Sequence, residues 1–243
     1  MATTNLLQNL FFAICEQLQI KRFFELGAHE ATASRVLKSK IPSLQVYAVE
    51  ANPYTHARFK DDFKEINGFS YIHAAVSAHH PTTTLEIPVF DDSPHSLMPG
   101  NASINRRKGA FAPNTYHSVA VNTVSVDNLL KDSSPADSNA ALWIDLEGSA
   151  LQALNTCSDF SCIEVIYTEL EDEQYWENQG LAIDVIEALL IGGFVPFAFD
   201  CEYPNQYNGL FIKSNLLQWL FAFGSAVRYF EFRGQVSALV KSS

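Results

Sequence analysis

No GxGxxG occurs anywhere in the chain, so the turn that cradles a dinucleotide pyrophosphate is missing and a nicotinamide-dependent oxidoreductase is the less favoured α/β enzyme. Basic residues are scarce. Sixteen Lys and Arg against twenty-seven Asp and Glu leave a net charge of −11. A surface of that sign repels phosphate backbones, so neither nucleic acid nor an anionic membrane is an expected partner. The four cysteines, Cys15, Cys157, Cys162 and Cys201, show one CxxxxC spacing and no CxxC pair. That excludes a zinc knuckle and a small disulfide framework, and reduced thiols in a cytoplasmic protein are expected. His73, His79, His80, His95 and His117 have no metal-ligand spacing, and two methionines are too few for a sulfur-rich surface. No apolar run approaches the roughly 20 residues that span a bilayer. The run Leu6 to Ile14 has no basic segment before it, and Lys21-Arg22 follow it, which is the wrong charge order for secretion.

What is present is a rhythm of short β-rich runs followed by helical patterns. Leu6, Leu10, Ile14, Gln17 and Leu18 fall at helical spacing, as in an amphipathic lead-in helix over residues 1–21. Strands are expected at Arg22 to Leu26, Val46 to Val49, Tyr71 to Val76, Ala141 to Leu146 and Cys162 to Leu170. Helices are expected at Ala31 to Lys38, Pro53 to Ile66, Ser149 to Thr156 and Ala182 to Leu190. Phe194 to Phe199 and Tyr207 to Lys213 predict two late strands, the end of the sheet being an antiparallel hairpin. This alternation predicts one α/β domain over 22–213, with a seven-stranded, mostly parallel sheet and helices on both faces. Residues 214–243 are expected to pack on the same domain. A stretch of about 91–118, with three prolines and Arg106-Arg107-Lys108, breaks the rhythm and reads as a long loop or lid.

Three strand ends carry chemistry-bearing residues. Glu25-Leu26-Gly27-Ala28-His29 puts an acid and a glycine between the first strand and the first helix, where backbone N–H groups can meet an anionic group. Val49-Glu50-Ala51-Asn52-Pro53 puts an acid at the end of the second strand, 23 positions after Gly27. A carboxylate there accepts hydrogen bonds from ribose hydroxyls; the alternative is a carboxylate favoured by the dipole of the next helix. Trp143-Ile144-Asp145-Leu146-Glu147-Gly148 puts two acids at the end of the fourth core strand, on one side of the pleat if the strand continues. They could serve as a base, as oxygen ligands for Mg²⁺ with Asp145 the first choice, or as partners of a cofactor amino group. Glu147 has the second reading of capping the next helix.

In order and spacing these motifs resemble the FkbM-type family of S-adenosylmethionine-dependent methyltransferases. The opening turn with Ser34, the second-strand motif, Ala74-Ala75-Val76-Ser77, Val124-Ser125-Val126-Asp127-Asn128-Leu129 and Ile144-Asp145-Leu146-Glu147-Gly148 all look similar to the family's motifs. The likeness continues through Thr168-Glu169-Leu170 to Tyr207-Asn208-Gly209-Leu210-Phe211-Ile212. It implies a Rossmann-like class I fold and an S-adenosylmethionine site at Glu25, Gly27, Ala28, His29 and Ser34. Glu50, Ala51 and Asn52 would complete that site on the ribose side, with Ala75 and Val76 flanking adenine. Asp145 and Glu147 would be catalytic, and the expected acceptor is a hydroxyl of a small molecule or sugar. Two departures stand out, His29 where the family has Asn and Ala31 where it has a second glycine. They keep open a non-catalytic ligand-binding or assembly protein on the same fold.

For the acceptor, Asn105 and Arg106 begin a basic run whose guanidinium forks suit an anionic group, the alternative being a solvated loop. Trp176 could stack on a sugar ring or pack in the core or lid.

Overall fold

The computed structural model describes residues 2–78, 81–89, 96–109, 112–133, 135, 138–201 and 203–217. Helix α1 (Ala2–Gln17) leads into β1 (Arg22–Leu26), α2 (Thr32–Lys40), β2 (Gln45–Glu50), α3 (Pro53–Phe59) with a 3₁₀ turn at Lys60–Phe63, and β3 (Phe69–His73). Three further strands follow, β4 (Ala75–Val76), β5 (Thr82–Val89) and β6 (Thr115–Val124). The chain then runs through α4 (Val126–Asp132), β7 (Ala140–Ile144), α5 (Ala150–Leu154), β8 (Ile163–Glu171), α6 (Ala182–Ile191), β9 (Phe194–Phe199) and β10 (Gln206–Lys213).

Seven strands form one sheet in the order β3-β2-β1-β7-β8-β10-β9. Strand β10 runs antiparallel to both neighbours and the other pairings are parallel, so the reversed strand is β10 alone. This is a Rossmann-like α/β fold. Central strands are buried on both faces, which is why they read as near-continuous apolar runs. Phe23, Ala141, Trp143, Val165 and Tyr167 face the layer of α1 and α2. Phe24, Leu142, Ile144, Ile166 and Leu170 face the layer of α4, α5 and α6. Helix α1 buries Leu7, Phe11, Phe12, Ile14 and Cys15, with Leu6, Leu10 and Leu18 only partly buried, so its apolar face is rotated from the expected stripe. Phe11, Phe12 and Tyr167 close around Trp143, whose ring stacks on Tyr167 at 3.8 Å between centroids.

Three boundaries differ from the sequence expectation. The run Tyr71 to Val76 is not one strand: β3 stops at His73, and Ala75–Val76 pair with Thr123–Val124 of β6 in a second, three-stranded sheet. The described part of the insertion is irregular as expected until its last residues, where Thr115 begins a strand: Thr115–Val124 pairs antiparallel with β5, Thr82–Val89, over eight positions. Helix α3 gives way after Phe59 to the tighter 3₁₀ turn. Residues 90–95 and 110–111 of the insertion, His79, His80 and His95, and 218–243 of the C-terminal extension lie outside the described residues. Before that point Leu217 packs on the α1 side of the core. Among the described residues no helix is long and apolar enough to cross a membrane, and no cysteine is in a disulfide.

Candidate functional site

The strand order turns back between β1 and β7, and in open α/β sheets ligands bind outside the carboxyl ends of strands at such a switch point. Here the ends are locked by backbone hydrogen bonds. The N–H groups of Gly27 and Ala28 donate to the Val49 carbonyl at 3.0 and 2.9 Å, and the Asp145 N–H donates to the Leu26 carbonyl at 2.9 Å. Gly27 has φ +82°, and a Cβ built on it would stand 1.8 Å from the Asp145 carbonyl oxygen. Only glycine fits between the three ends.

The turn beyond Gly27 is held by two carboxylates. Glu25 accepts from the N–H groups of Ser34 at 2.8 Å and Ala33 at 3.3 Å, anchoring the start of α2. Burial raises its pKa to about 7, against the opposing pull of those hydrogen bonds. Glu50 accepts from the His29 N–H and the Asn52 N–H, both at 2.7 Å. Burial raises its pKa as well, again opposed by the two amides. The Tyr71 hydroxyl donates to the His29 carbonyl. His29 and Ala31 both adopt left-handed backbone, φ 45° and 57°. These are the two positions where the sequence departs from Asn and Gly, the residues that tolerate this region best, so the substitutions keep the turn's path at some strain.

Strand β7 ends at Ile144, so pleat alternation does not place Asp145 and Glu147 together as the sequence suggested. A left-handed pair does, Glu147 at φ 47° and Gly148 at φ 80°. A Cβ on Gly148 would meet the Trp176 ring at 2.3 Å, so the indole packs directly on this turn. Trp176 itself is 1% exposed, with the Arg107 guanidinium 5.4 Å from its ring. Asn105 is buried as well, donating to the Gly148 carbonyl at 3.3 Å and to Gln152 at 3.2 Å. Arg106 is exposed, pairs with Glu86 at 3.2 Å and lies over the Tyr116 ring.

One pocket joins most of the expected cofactor residues: Gly27, His29, Glu50, Ala51, Ala75 and Val76 line it, together with Asp145 and Glu147. A second, of about 280 Å³, lies on the α1 side of the same turn and is lined by Glu25, Gly27, Ala28, His29 and Asp145 with Gln8 and Phe12. Gly27, His29 and Asp145 belong to both, so the two are lobes of one crevice. Ser34 and Asn52 stand behind the walls. Ser34 is buried beneath Glu25, and Asn52 caps α3 by accepting from the Tyr54 N–H at 3.0 Å.

Sequence reasoning missed two features. Within the insertion read as a loop or lid, residues Pro99 to Ile104 form one wall of the first lobe, and an irregular segment carries no periodicity to single them out. Glu169 and Glu171 stand near Asp145 and Glu147. Burial and then these neighbouring carboxylates push Glu147 up to about 8 and Glu169 well above the usual range. Glu171 is raised to about 7, chiefly by burial, and accepts from Gln179. Only the last residues of a long apolar strand carry that signal. Among the described residues no group of three or more His, Cys, Asp or Glu could hold a metal ion, so the Mg²⁺ role considered for Asp145 has no support in the geometry.

A switch-point crevice with a glycine turn and a second-strand carboxylate defines a Rossmann-like ligand-binding scaffold. Residues 25–201 match the methyltransferase FkbM domain, and the chain belongs to that family. No curated protein matches the sequence. Among solved structures it is similar to a precorrin-6y C5,15-methyltransferase of Geobacter metallireducens, with 13% identity, 84% of this chain and 87% of that chain covered, and a TM-score of 0.45. It is also similar to Aeropyrum pernix fibrillarin in complex with natively bound S-adenosyl-L-methionine, with 12% identity, coverage of 79% and 66%, and a TM-score of 0.44. Likenesses this distant carry no argument about the acceptor.

Proposed function

We propose that this chain binds S-adenosylmethionine in the two-lobed crevice and transfers its methyl group to a hydroxyl of a small molecule or sugar. The observation that carries the reading is the convergence of Gly27, Glu50 and Asp145 on one crevice at the sheet's switch point. The residues present fit the cofactor. Gly27 lets the ends of β1, β2 and β7 close together beneath the crevice it lines, Glu50 offers its remaining carboxylate lone pairs to ribose hydroxyls, and Ala75, Val76 and Leu85 give a purine an apolar wall. Glu25 holds the α2 N-terminus in place from behind.

When bound, the cofactor supplies an activated methyl group on a positively charged sulfur. The protein's part is to hold the acceptor oxygen in line and to receive its proton. Asp145 borders both lobes, and Glu147 is carried toward it by the left-handed turn. Either carboxylate can accept the proton, and the rise of Glu147 to about 8 suits a base working near neutral pH. The carboxylate-lined crevice disfavours a nucleic-acid acceptor, in keeping with the net charge of −11.

The test joins calorimetry with S-adenosylhomocysteine to a tritiated-methyl transfer screen over sugars, nucleotide sugars and small alcohols. Binding plus a labelled ether product supports the proposal. Binding without any product across the screen supports the non-catalytic reading, and labelled amine or carbon products refute the hydroxyl assignment. Asp145→Asn should lose most of kcat with S-adenosylhomocysteine affinity kept within a few-fold. Loss of cofactor binding instead would move Asp145 to the cofactor site.

A further inference from the structure

The first lobe of the crevice, the side where Glu50, Ala75 and Val76 would receive the adenosine, has a cavity of only about 40 Å³. Small-molecule sites are on the order of 300–1,000 Å³. What fills the space is the protein itself. Leu97, Ala102 and Ile104 pack against the apolar cluster of Ala75, Leu85 and Val121, and Pro99 and Gly100 close the wall. The strap holding these residues crosses the strand ends. At its far end it is pinned by paired backbone bonds, Lys108 N–H to the Tyr175 carbonyl at 2.7 Å and Glu177 N–H to the Arg106 carbonyl at 2.8 Å. At Ser103 it pairs with Glu86, and its hydroxyl donates to the Glu147 carbonyl at 2.7 Å. Its near end is held by side chains in and behind the crevice wall: Asn52 Nδ2 donates to the Leu97 carbonyl at 2.8 Å, and His29 Nε2 lies 3.4 Å from the Met98 carbonyl.

We propose that residues 97–104 form a gate over the adenosine side of the crevice, latched by Asn52, and that the gate must lift before the cofactor can enter. The inference rests on the cofactor reading above. The near end is secured by one amide-to-carbonyl bond, one longer imidazole contact and a small apolar patch, and the gate swings about Ser103, whose bonds to Glu86 and to the Glu147 carbonyl hold the strap at that point. A ligand purine can take over that patch, so what opening loses in apolar contact binding restores. Gly100 sits in the moving part, and a Cβ there would meet nothing within 4 Å, so that side of the strap faces open space.

Asn52 allows the latch to be cut without touching the helix it caps. Its Oδ1 accepts from Tyr54 N–H while its Nδ2 holds Leu97. Asn52→Asp keeps a cap of similar quality and removes the donor; Asn52→Ser does the same without adding charge beside Glu50. Losing one neutral hydrogen bond should raise the open population about three- to tenfold. In stopped-flow mixing of the full chain, the observed association rate of S-adenosylhomocysteine should saturate with concentration. The plateau should rise by that factor in both variants. Amide hydrogen exchange without ligand should accelerate by a similar factor within 97–104 and not within 105–108. A rate that climbs linearly in the wild type, or exchange in 97–104 unchanged by both substitutions, overturns the gate. If S-adenosylhomocysteine binds none of the proteins, the cofactor reading fails, and the exchange experiment still decides whether Asn52 latches the strap.

Discussion

Replacing Gly27 with alanine puts a methyl group where β1, β2 and β7 interlock. Two separable penalties follow. At φ +82° an alanine is in left-handed backbone, which costs about 1–2 kcal/mol. Its Cβ would also stand 1.8 Å from the Asp145 carbonyl oxygen, a backbone atom that can move only if the end of β7 moves. Overpacking of this kind costs about 1–3 kcal/mol. The sum, about 2–5 kcal/mol, corresponds to a fall in Tm of about 4–20 °C for a chain of this size. Gly68→Ala is the control. It has a similar φ of +72°, but the added methyl would meet the Gln45 side-chain amide at 2.8 Å, which can swing aside. It should lose only the backbone share, about 1–2 kcal/mol. Chemical denaturation of both variants, read by circular dichroism and intrinsic fluorescence, gives the two values. S-adenosylhomocysteine calorimetry on folded Gly27→Ala should show affinity reduced more than tenfold, and on Gly68→Ala unchanged. Equal destabilisation by the two substitutions, with cofactor affinity intact in both, would refute the interlock at Gly27.

Three further outcomes are expected. Glu50→Ala should weaken S-adenosylhomocysteine by about 1.5–3 kcal/mol in calorimetry, the range for hydrogen bonds to a charged group, and unchanged binding removes its ribose role. Ala31→Gly loses a buried methyl worth about 0.8 kcal/mol but relieves left-handed strain of about 1–2 kcal/mol, so its Tm should match the wild type within a few degrees. Ala33→Gly, inside α2, should lower Tm instead, and the reverse ranking contradicts the strained turn. Burial and the neighbouring carboxylates raise Glu147 to about 8 in the folded chain from about 4.5 unfolded, so the native state holds its proton longer. The group therefore costs nothing below about pH 4.5 and destabilises progressively as pH rises toward 8. Glu147→Gln should leave stability unchanged at pH 4.5 and raise it at pH 9 by on the order of 1–3 kcal/mol, discounted for its partial exposure, seen as a higher Tm at pH 9 only. A Tm gain at low pH, or none at pH 9, contradicts that environment.

How far the sequence alone reached can be traced to particular residues. Phe194–Phe199 and Arg22–Leu26 were legible to the residue because apolar strands end abruptly at glycine, proline or polar turns. Gly27 and Glu50 were legible as a pair because their places at adjacent strand ends fix their spacing in the sequence. The β5 and β6 hairpin was not. Thr82–Val89 mixes threonines, a glutamate and Pro88, and its partner is 26 residues further along the chain, so neither run announces the other. Ala75–Val76 looked continuous with β3 because the break at Ala74 falls inside Ala74-Ala75-Val76, where no turn-forming residue marks it. Trp176 offered a stacking surface in the sequence, and its burial follows from Gly148 standing directly opposite, a contact no local pattern encodes. Glu147 reached the crevice by a left-handed turn rather than by strand alternation, with the same outcome by a different route.

The most direct measurement of the central claim is a crystal structure of the chain grown with saturating S-adenosylhomocysteine. The account predicts density for the ligand across Gly27, its ribose hydroxyls within hydrogen-bond distance of Glu50, its adenine beside Ala75 and Val76, and residues 97–104 displaced from the positions that close the first lobe. Ligand density at any other place on the sheet, or ligand-free crystals whose crevice is unchanged at saturation, would contradict it.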